Sequence, residues 1–177
     1  EVITCKLIQP VKGYRKKLLD MASNNAKTNL LQKFEVMERQ NETTEESMRQ
    51  LAQKLRIPGL SRIEIFDNSH ISGAFTVAGM VVFEDGLPCK NDYRLFKLHT
   101  ENSDVDSMKE VLYRRYFRLL NEGGRFPDLL LVDGGLTQIE AAKEILGSLD
   151  LDIPICGLVK NDKHQTASLM NERLEIV

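Results

Sequence analysis

Hydrophobic residues recur at helical spacing through the first third of the chain. Between residues 12 and 40 there is a single glycine and no proline, and apolar side chains return every three or four positions. A polar stretch at residues 41–44 interrupts the pattern, and Thr43 followed by Glu46 has the form of a capping box that opens a helix. The pattern predicts two helices, and residues 1–60 are therefore predicted to form a helical lead-in segment.

Short apolar runs replace this pattern from about residue 61. Three runs come first, separated by short turns, and Glu84-Asp85-Gly86 is a turn of hairpin type. Helical spacing and fully apolar runs then alternate, and such runs are typical of strands buried on both faces. The predicted strands are residues 62–67, 76–83, 93–98, 128–133 and 153–159, and the predicted helices are about residues 104–120 and 136–149.

The predicted element order is β-β-β-α-β-α-β. Three strands joined by short turns, followed by alternating helices and strands, are characteristic of the ribonuclease-H-like fold, whereas a doubly wound sheet alternates from its first strand. We therefore expect an α/β domain over residues 61–177, with a mixed sheet that begins with three antiparallel strands. The helical segment precedes this domain.

Composition and charge exclude some classes of protein. Of the 177 residues, 42% are hydrophobic and 28% are charged, which argues against a disordered chain, and the formal net charge of −2 gives no argument for nucleic-acid binding. Apolar runs fall short of the roughly 20 residues that cross a bilayer, and no signal-peptide pattern is present. Cys5, Cys89 and Cys156 form no CxxC pair, so we expect reduced thiols in a cytoplasmic protein. The chain does not begin with methionine, which indicates a piece of a longer protein.

Two aspartates follow apolar runs that are predicted to be strands. Asp67 ends the first predicted strand and Asp133 ends the fourth, where Gly134 and Gly135 allow a sharp turn. If these strands are neighbours, both carboxylates lie at the sheet edge where ligands gather in α/β proteins. Carboxylates are ligands that Mg²⁺ prefers, and two ions about 3.5–4 Å apart assist phosphodiester cleavage. The alternative role of a strand-end aspartate is to cap the next helix or turn.

Asp104 and Asp106 open the helix after the third predicted strand. The helix dipole favours acidic side chains in the first turn, which accounts for both residues without any further role. The alternative is that one of them reaches the metal site as a third carboxylate.

Several separated stretches of sequence resemble one known family. In chain order they are FDNSH at residues 66–70, TVAGMVVFEDG, YRLFKL, SDVDSMKEVLYRRY, PDLLLVDGG and GLVKNDKH. Together they resemble the C-terminal endonuclease region of the UvrC family, the nuclease subunits of bacterial nucleotide-excision repair. The resemblance runs from about Arg62 to His164, and the helical lead-in resembles the segment before this region.

The resemblance implies a metal-dependent DNA endonuclease. Such an enzyme uses Mg²⁺ or Mn²⁺ to activate water and cuts the damaged strand on the 5′ side of a lesion, in the cytoplasm and within the SOS response. The implied partners are damaged double-stranded DNA, UvrB and the UvrA-loaded UvrB–DNA complex, which the full-length protein binds. The family's GIY-YIG-type nuclease domain, UvrB-binding segment and helix-hairpin-helix region are expected outside this stretch.

The family motifs imply metal-binding and catalytic roles for three acidic residues. Carried over position by position, these residues are Asp67, Asp133 and Asp104. The third motif departs from the family pattern, because Ser103 stands where an acid is usual and Asp106 stands where a small residue is usual. The choice between Asp104 and Asp106 therefore stays open, with Asp104 preferred.

A catalytic histidine of the family has no counterpart in this chain. In the family it lies on a later helix, beyond the KNDKH segment, and Asn68 also replaces a commonly aliphatic residue. We therefore expect residues 61–177 to be truncated at the C-terminal end and the isolated chain to lack the full catalytic set. The alternative function is a catalytically incomplete fragment that binds DNA or protein.

Basic residues are candidates for contacts with DNA phosphates. The helix at residues 113–118 places arginines between aromatic residues, and a basic cluster follows the last predicted strand. Phosphate contacts give affinity without reading sequence. A solvated surface or a partner-binding surface is the alternative. The candidates are His70, Arg114, Arg115, Lys160, Lys163 and His164.

A receiver-like phosphoacceptor domain is a third hypothesis, since such domains also use a strand-end aspartate. The three consecutive strands argue against it. An antiparallel start to the sheet would exclude it.

Overall fold

A computed structural model of the chain describes residues 9–71, 75–99, 103–160 and 166–176. The chain divides into two compact units, Glu1–Thr43 and Thr44–Val177. The domain boundary near residue 60 stays a prediction. Among the helices in the described ranges, none combines the length and the apolar character of a bilayer-spanning segment.

One continuous helix, α1 (Tyr14–Leu55), replaces the two helices predicted from the sequence. The predicted break at residues 41–44 is wrong, because the polar residues there are compatible with a helix. The Thr43 hydroxyl donates to the backbone carbonyl of Arg39, one turn earlier, at 2.8 Å. Threonine and asparagine are roughly 0.5 kcal/mol less favourable than alanine in a helix, and ion pairs along α1 help to offset this cost.

The second unit contains seven strands, two further α-helices and one short 3-10 helix (Lys90–Asp92) among its described residues. The strands are β1 (Arg62–Ile71), β2 (Phe75–Glu84), β3 (Leu87–Pro88), β4 (Arg94–Lys97), β5 (Leu129–Asp133), β6 (Ile155–Lys160) and β7 (Thr166–Asn171). The helices are α2 (Asp104–Glu122) and α3 (Leu136–Ser148).

These strands form one mixed sheet in the order β3-β2-β1-β5-β6-β7, with β4 also paired to β2. The pairs β1–β2 and β2–β4 are antiparallel, whereas β1–β5 and β5–β6 are parallel. The predicted antiparallel start and the alternation of helices and strands after it are confirmed. The antiparallel start also excludes the receiver-like hypothesis. The sequence did not predict the short β3 or the final β7.

Hydrophobic cores lie on both faces of the sheet. On the first face, Phe66 and Val132 belong to a cluster that includes buried residues of α2 and α3. On the second face, Leu131 and Cys156 pack with the C-terminal end of α1. Successive residues of a strand point to opposite faces, so strands of a sheet covered on both sides are mostly apolar along their length, as β5 is.

A buried network of charges joins α2 to β1. Glu64 has no exposed surface, Arg115 donates to it at 2.6 Å, and the Tyr116 hydroxyl lies 3.3 Å from it. Arg62, also buried, lies 3.4 Å from Glu64 and 2.8 Å from Asp92. Burial and the charge of Glu64 raise the pKa of Tyr116 well above its usual value, so its hydroxyl stays protonated. Two guanidinium groups thus compensate one buried carboxylate.

Candidate active site

The pairing of β1 with β5 brings Asp67 and Asp133 side by side. The last parallel pair of these strands is Phe66 with Val132, and the two aspartates are the next residues on each strand. β1 does not end at Asp67, because it continues to Ile71 in its pairing with β2. The prediction that Asp67 closes the strand is therefore wrong, and Asp67 instead marks the point where β1 loses β5 as its neighbour.

The carboxyl groups of Asp67 and Asp133, called the aspartate pair below, interact directly. Burial, the hydrogen bond between the two groups and the negative charge of Asp133 raise the pKa of Asp67. The ammonium of Lys160 opposes this rise. The Asp133 side chain keeps 17% of its surface exposed. Since Asp67 is exposed, the aspartate pair is a concentration of negative charge that solvent can reach.

Lys160 places a positive charge against this pair. Its Nζ lies 2.6 Å from Oδ2 of Asp133. Lys160 ends β6, and alternation along the strand puts it on the same sheet face as Cys156 and Leu158, which belong to the second core. The hydrogen bond to Asp133 raises the pKa of Lys160. The lysine is therefore held in its charged form beside the carboxylates.

Glycines shape the backbone next to Asp133. Gly134 has a φ of +141°, which residues with a side chain rarely adopt. On β6, a Cβ placed on Gly157 would stand 2.3 Å from the Gly134 carbonyl oxygen, so the two backbones approach closely. Gly135 occupies the N-cap position of α3, so the capping alternative does not explain Asp133. The close approach fixes the turn that follows the aspartate.

Replacing Gly157 with alanine is expected to disturb this turn. The added methyl group would collide with the Gly134 carbonyl and lie 3.0 Å from the Ile139 side chain, and no rotamer change moves a backbone carbonyl. We expect the free energy of unfolding, measured by urea denaturation, to fall by about 2–3 kcal/mol. The control is Gly147→Ala in α3, where the new methyl group meets open space and should be neutral or stabilising. Equal stability of the two variants would contradict this account.

The start of α2 lies next to β1 without completing a three-carboxylate group. The Asn68 side-chain amide donates to the Asp104 backbone carbonyl at 3.0 Å. Within the described ranges, the Asp104 carboxylate does not join the aspartate pair in a group of ligand atoms within 4.8 Å of one another. Asp106 accepts from the Ser103 hydroxyl at 2.8 Å and donates its N–H to the same oxygen. Asp106 is therefore engaged in the helix cap.

Known proteins with related sequences identify the family. A sequence model described as the UvrC RNAse H endonuclease domain matches residues 52–177. The chain belongs to this family. The predicted resemblance to UvrC is thereby confirmed, and with it the ribonuclease-H-like fold class.

Two curated relatives of this UvrC-family chain come from streptococci. UvrABC system protein C of Streptococcus mutans is 45% identical over 180 residues, and that of Streptococcus pyogenes serotype M49 is 46% identical over 180 residues. Each alignment covers 99% of this chain and 30% of the relative. The chain therefore spans less than a third of the length of these UvrC proteins.

Solved nuclease structures resemble the UvrC-family chain weakly. Endonuclease V of Ciona intestinalis, bound to DNA that contains an inosine, has a TM-score of 0.42 at 14% identity and covers 72% of this chain and 59% of that chain. The C-terminal lobe of a budding yeast Argonaute has a TM-score of 0.37 at 15% identity and covers 77% and 35% of the two chains.

The two arginines predicted to contact DNA from α2 are engaged within the UvrC-family domain. Arg115 points inward and pairs with the buried Glu64 at 2.6 Å. Arg114 donates to the Lys97 carbonyl at 2.6 Å and to Glu110 at 3.1 Å. Arg114 keeps 40% of its side chain exposed, whereas Arg115 keeps 14%. Accessibility therefore favours Arg114 over Arg115 as a surface contact.

The remaining candidates for DNA contact lie at or beyond the end of β6 and within β1. Lys160 is brought to the aspartate pair by its contact with Asp133. Lys163 and His164 lie outside the described residues. The backbone of His70 belongs to β1, but its side chain lies outside the described part of the chain.

A second group of possible metal ligands lies at the other end of β1. Ligand atoms of Glu84, Cys89 and Asp92 lie within 4.8 Å of one another, a grouping that the sequence did not reveal because the residues belong to different elements. Arg62 pairs with Asp92 at 2.8 Å, and Arg125 pairs with Glu84. Guanidinium groups thus already balance both carboxylates of this group.

Proposed function

We propose that this domain hydrolyses the phosphodiester bond on the 5′ side of a lesion in damaged DNA, with the aspartate pair as its catalytic centre. The observation that carries the proposal is the position of Asp67 and Asp133 side by side, just beyond the last parallel pair of β1 and β5, in a chain that belongs to an endonuclease family. Adjacent carboxylates repel each other when both are ionised, so such a pair is favoured where a cation binds.

A divalent cation, Mg²⁺ or Mn²⁺, fits the donors of this site. Asp67 and Asp133 offer hard carboxylate oxygens. The negative charge of Asp133 is one of the causes that raise the pKa of Asp67, so a cation at this place would be favoured. We propose that these two residues hold the ion and that Asp104 is the third carboxylate, reached from the start of α2. When bound, such an ion lowers the pKa of a water molecule and stabilises the leaving oxygen.

The residues around the aspartate pair suit the approach of a phosphate group. Two glycines follow Asp133, so no side chain at these positions hinders the approach. Lys160 offers a cation at the same place. His70, Lys163, His164 and Arg114 are proposed as further phosphate contacts. Arg115 is left out of the proposal because Glu64 engages it.

The proposed substrate in the full-length protein is damaged double-stranded DNA that UvrA has loaded with UvrB. The relatives are named as components of the UvrABC system, which supports this role and a place in the bacterial cytoplasm. In this proposal residues 61–177 carry the chemistry, and the helical segment of residues 1–60 leads into them.

Titration of Mn²⁺ into the 177-residue chain tests the metal assignment. Calorimetry is expected to detect binding to the wild-type chain and to find it lost in Asp133→Asn, because the amide removes both the charge and the preferred ligand. The control is Asp152→Asn, since Asp152 is exposed and lies before β6. Unchanged binding in Asp133→Asn would overturn the assignment. Binding of damaged DNA without any binding of Mn²⁺ would favour the incomplete-fragment alternative.

A further inference from the structure

Lys160 occupies the place where a cation would offset the negative charge of the aspartate pair. Its ammonium contacts Oδ2 of Asp133 at 2.6 Å. Asp67 lies beside Asp133, because each aspartate follows the last parallel pair of β1 and β5. The ammonium of Lys160 is thus held at the aspartate pair.

The sheet topology brings Lys160 and the aspartate pair together. Asp67, Asp133 and Lys160 lie on β1, β5 and β6, which are consecutive neighbours in the sheet. Alternation puts all three side chains on the same face, because Leu131 on β5 and Leu158 on β6 belong to the second core and each lies two residues before the charged residue on its strand.

The lysine is nevertheless free to move away from Asp133. Its side chain is 45% exposed, whereas that of Asp133 is 17% exposed, so solvent reaches the ammonium more easily than the carboxylate. The pairing of β6 with β7 is also irregular between Val159 and Lys160. A long, flexible side chain at a strand end can leave a carboxylate without disturbing the core.

We propose that Lys160 is a positioning residue that holds the aspartate pair together before metal binds and gives up its contact with Asp133 when the ion arrives. This inference rests on the proposed function. Lys160 would compete with the metal for the same oxygen of Asp133. The metal-free site is thereby kept assembled, at the expense of metal affinity.

Removing the charge of Lys160 should therefore have two effects of opposite sign. The metal-free chain loses the attraction that offsets carboxylate repulsion, so its melting temperature should fall by about 2–4 °C. The site also loses its internal competitor, so Mn²⁺ should bind about tenfold more tightly. A residue with a merely structural role would lower stability without raising metal affinity.

The experiment compares Lys160→Met, Lys160→Gln and Lys160→Arg with the wild-type chain. Calorimetry measures the Kd for Mn²⁺, and thermal denaturation is followed with and without Mn²⁺. Both uncharged variants should bind Mn²⁺ about tenfold more tightly, and the arginine variant should stay near wild type. Lys143→Met, which removes an exposed lysine of α3, is the control and should change neither quantity.

The outcomes separate this inference from the proposed function. If the wild-type chain binds Mn²⁺ and the uncharged variants bind it no more tightly, the inference is overturned while the proposed function stands. If neither the wild-type chain nor any Lys160 variant binds Mn²⁺, the proposed function fails and the inference fails with it. Two uncharged variants are used so that poor folding of one leaves the other to decide.

Discussion

Alanine at Asp133 is expected to reduce incision on the 5′ side of a lesion by about a thousandfold or more in the full-length protein, with damaged DNA still bound. Asp133 contacts both the Asp67 carboxyl group and the Lys160 ammonium. Its loss removes one of the proposed metal ligands and breaks up the aspartate pair, so a divalent ion is no longer held in place. Incision is measured on an end-labelled duplex with a single lesion, after loading of UvrA and UvrB.

The same assay on three further variants shows whether the effect belongs to the aspartate pair. Asp67→Ala should be as inactive as Asp133→Ala, and the double variant should be no worse, because the two residues act as one unit. Asp152→Ala, an exposed acid in the loop before β6, should cut normally. Retention of incision by either single variant of the pair would disprove the assignment.

Glutamine at Glu64 is expected to lower the free energy of unfolding by about 3 kcal/mol. Glu64 is fully buried and faces the guanidinium groups of Arg62 and Arg115. Without its charge, Arg115 becomes a largely buried cation with no compensating carboxylate. The effect falls at the lower end of the range for such changes, since Arg62 keeps its contact with Asp92. Guanidinium denaturation followed by far-ultraviolet circular dichroism measures the change.

Glu140→Gln on α3 is the matched control, because Glu140 is an exposed glutamate. It should change the free energy of unfolding by less than about 0.5 kcal/mol. A similarly small effect of Glu64→Gln would mean that the buried network does not stabilise the fold. The Glu64 result also bears on Arg115, since an Arg115 variant that binds DNA poorly would then have to be tested for folding first.

Secondary-structure elements could be predicted from the sequence where a short stretch of residues determines them. The run DLLLVD predicted β5 within one residue, and Ser103 with Asp104 marked the start of α2. The break predicted in α1 failed because Thr43 satisfies its hydroxyl on the helix backbone itself. β7 was missed because TASLMN has no strong alternation and its pairing with β6 is a long-range property.

The part of the candidate site that strand order determines could be predicted from the sequence. The part that depends on side-chain contacts between strands could not. Asp67 and Asp133 are neighbours because β1 lies beside β5, which the expected fold requires. The contact of Lys160 with Asp133 depends on the position and face of β6, which spacing along the chain does not reveal. Arg115 is different, because it lies at helical spacing from the buried Met108, Leu112 and Leu119, a signal already present in the sequence.

The alternation of β1 separates what keeps the domain folded from what is proposed to cut DNA. Glu64 faces α2 on one side of the strand, and Asp67 faces Asp133 on the other. Substitutions at the two positions should therefore combine additively. If the aspartate pair cuts DNA as proposed, a full-length protein with Asp67→Asn should fold normally, occupy a lesion and block repair there, and so act as a dominant inhibitor in living bacteria.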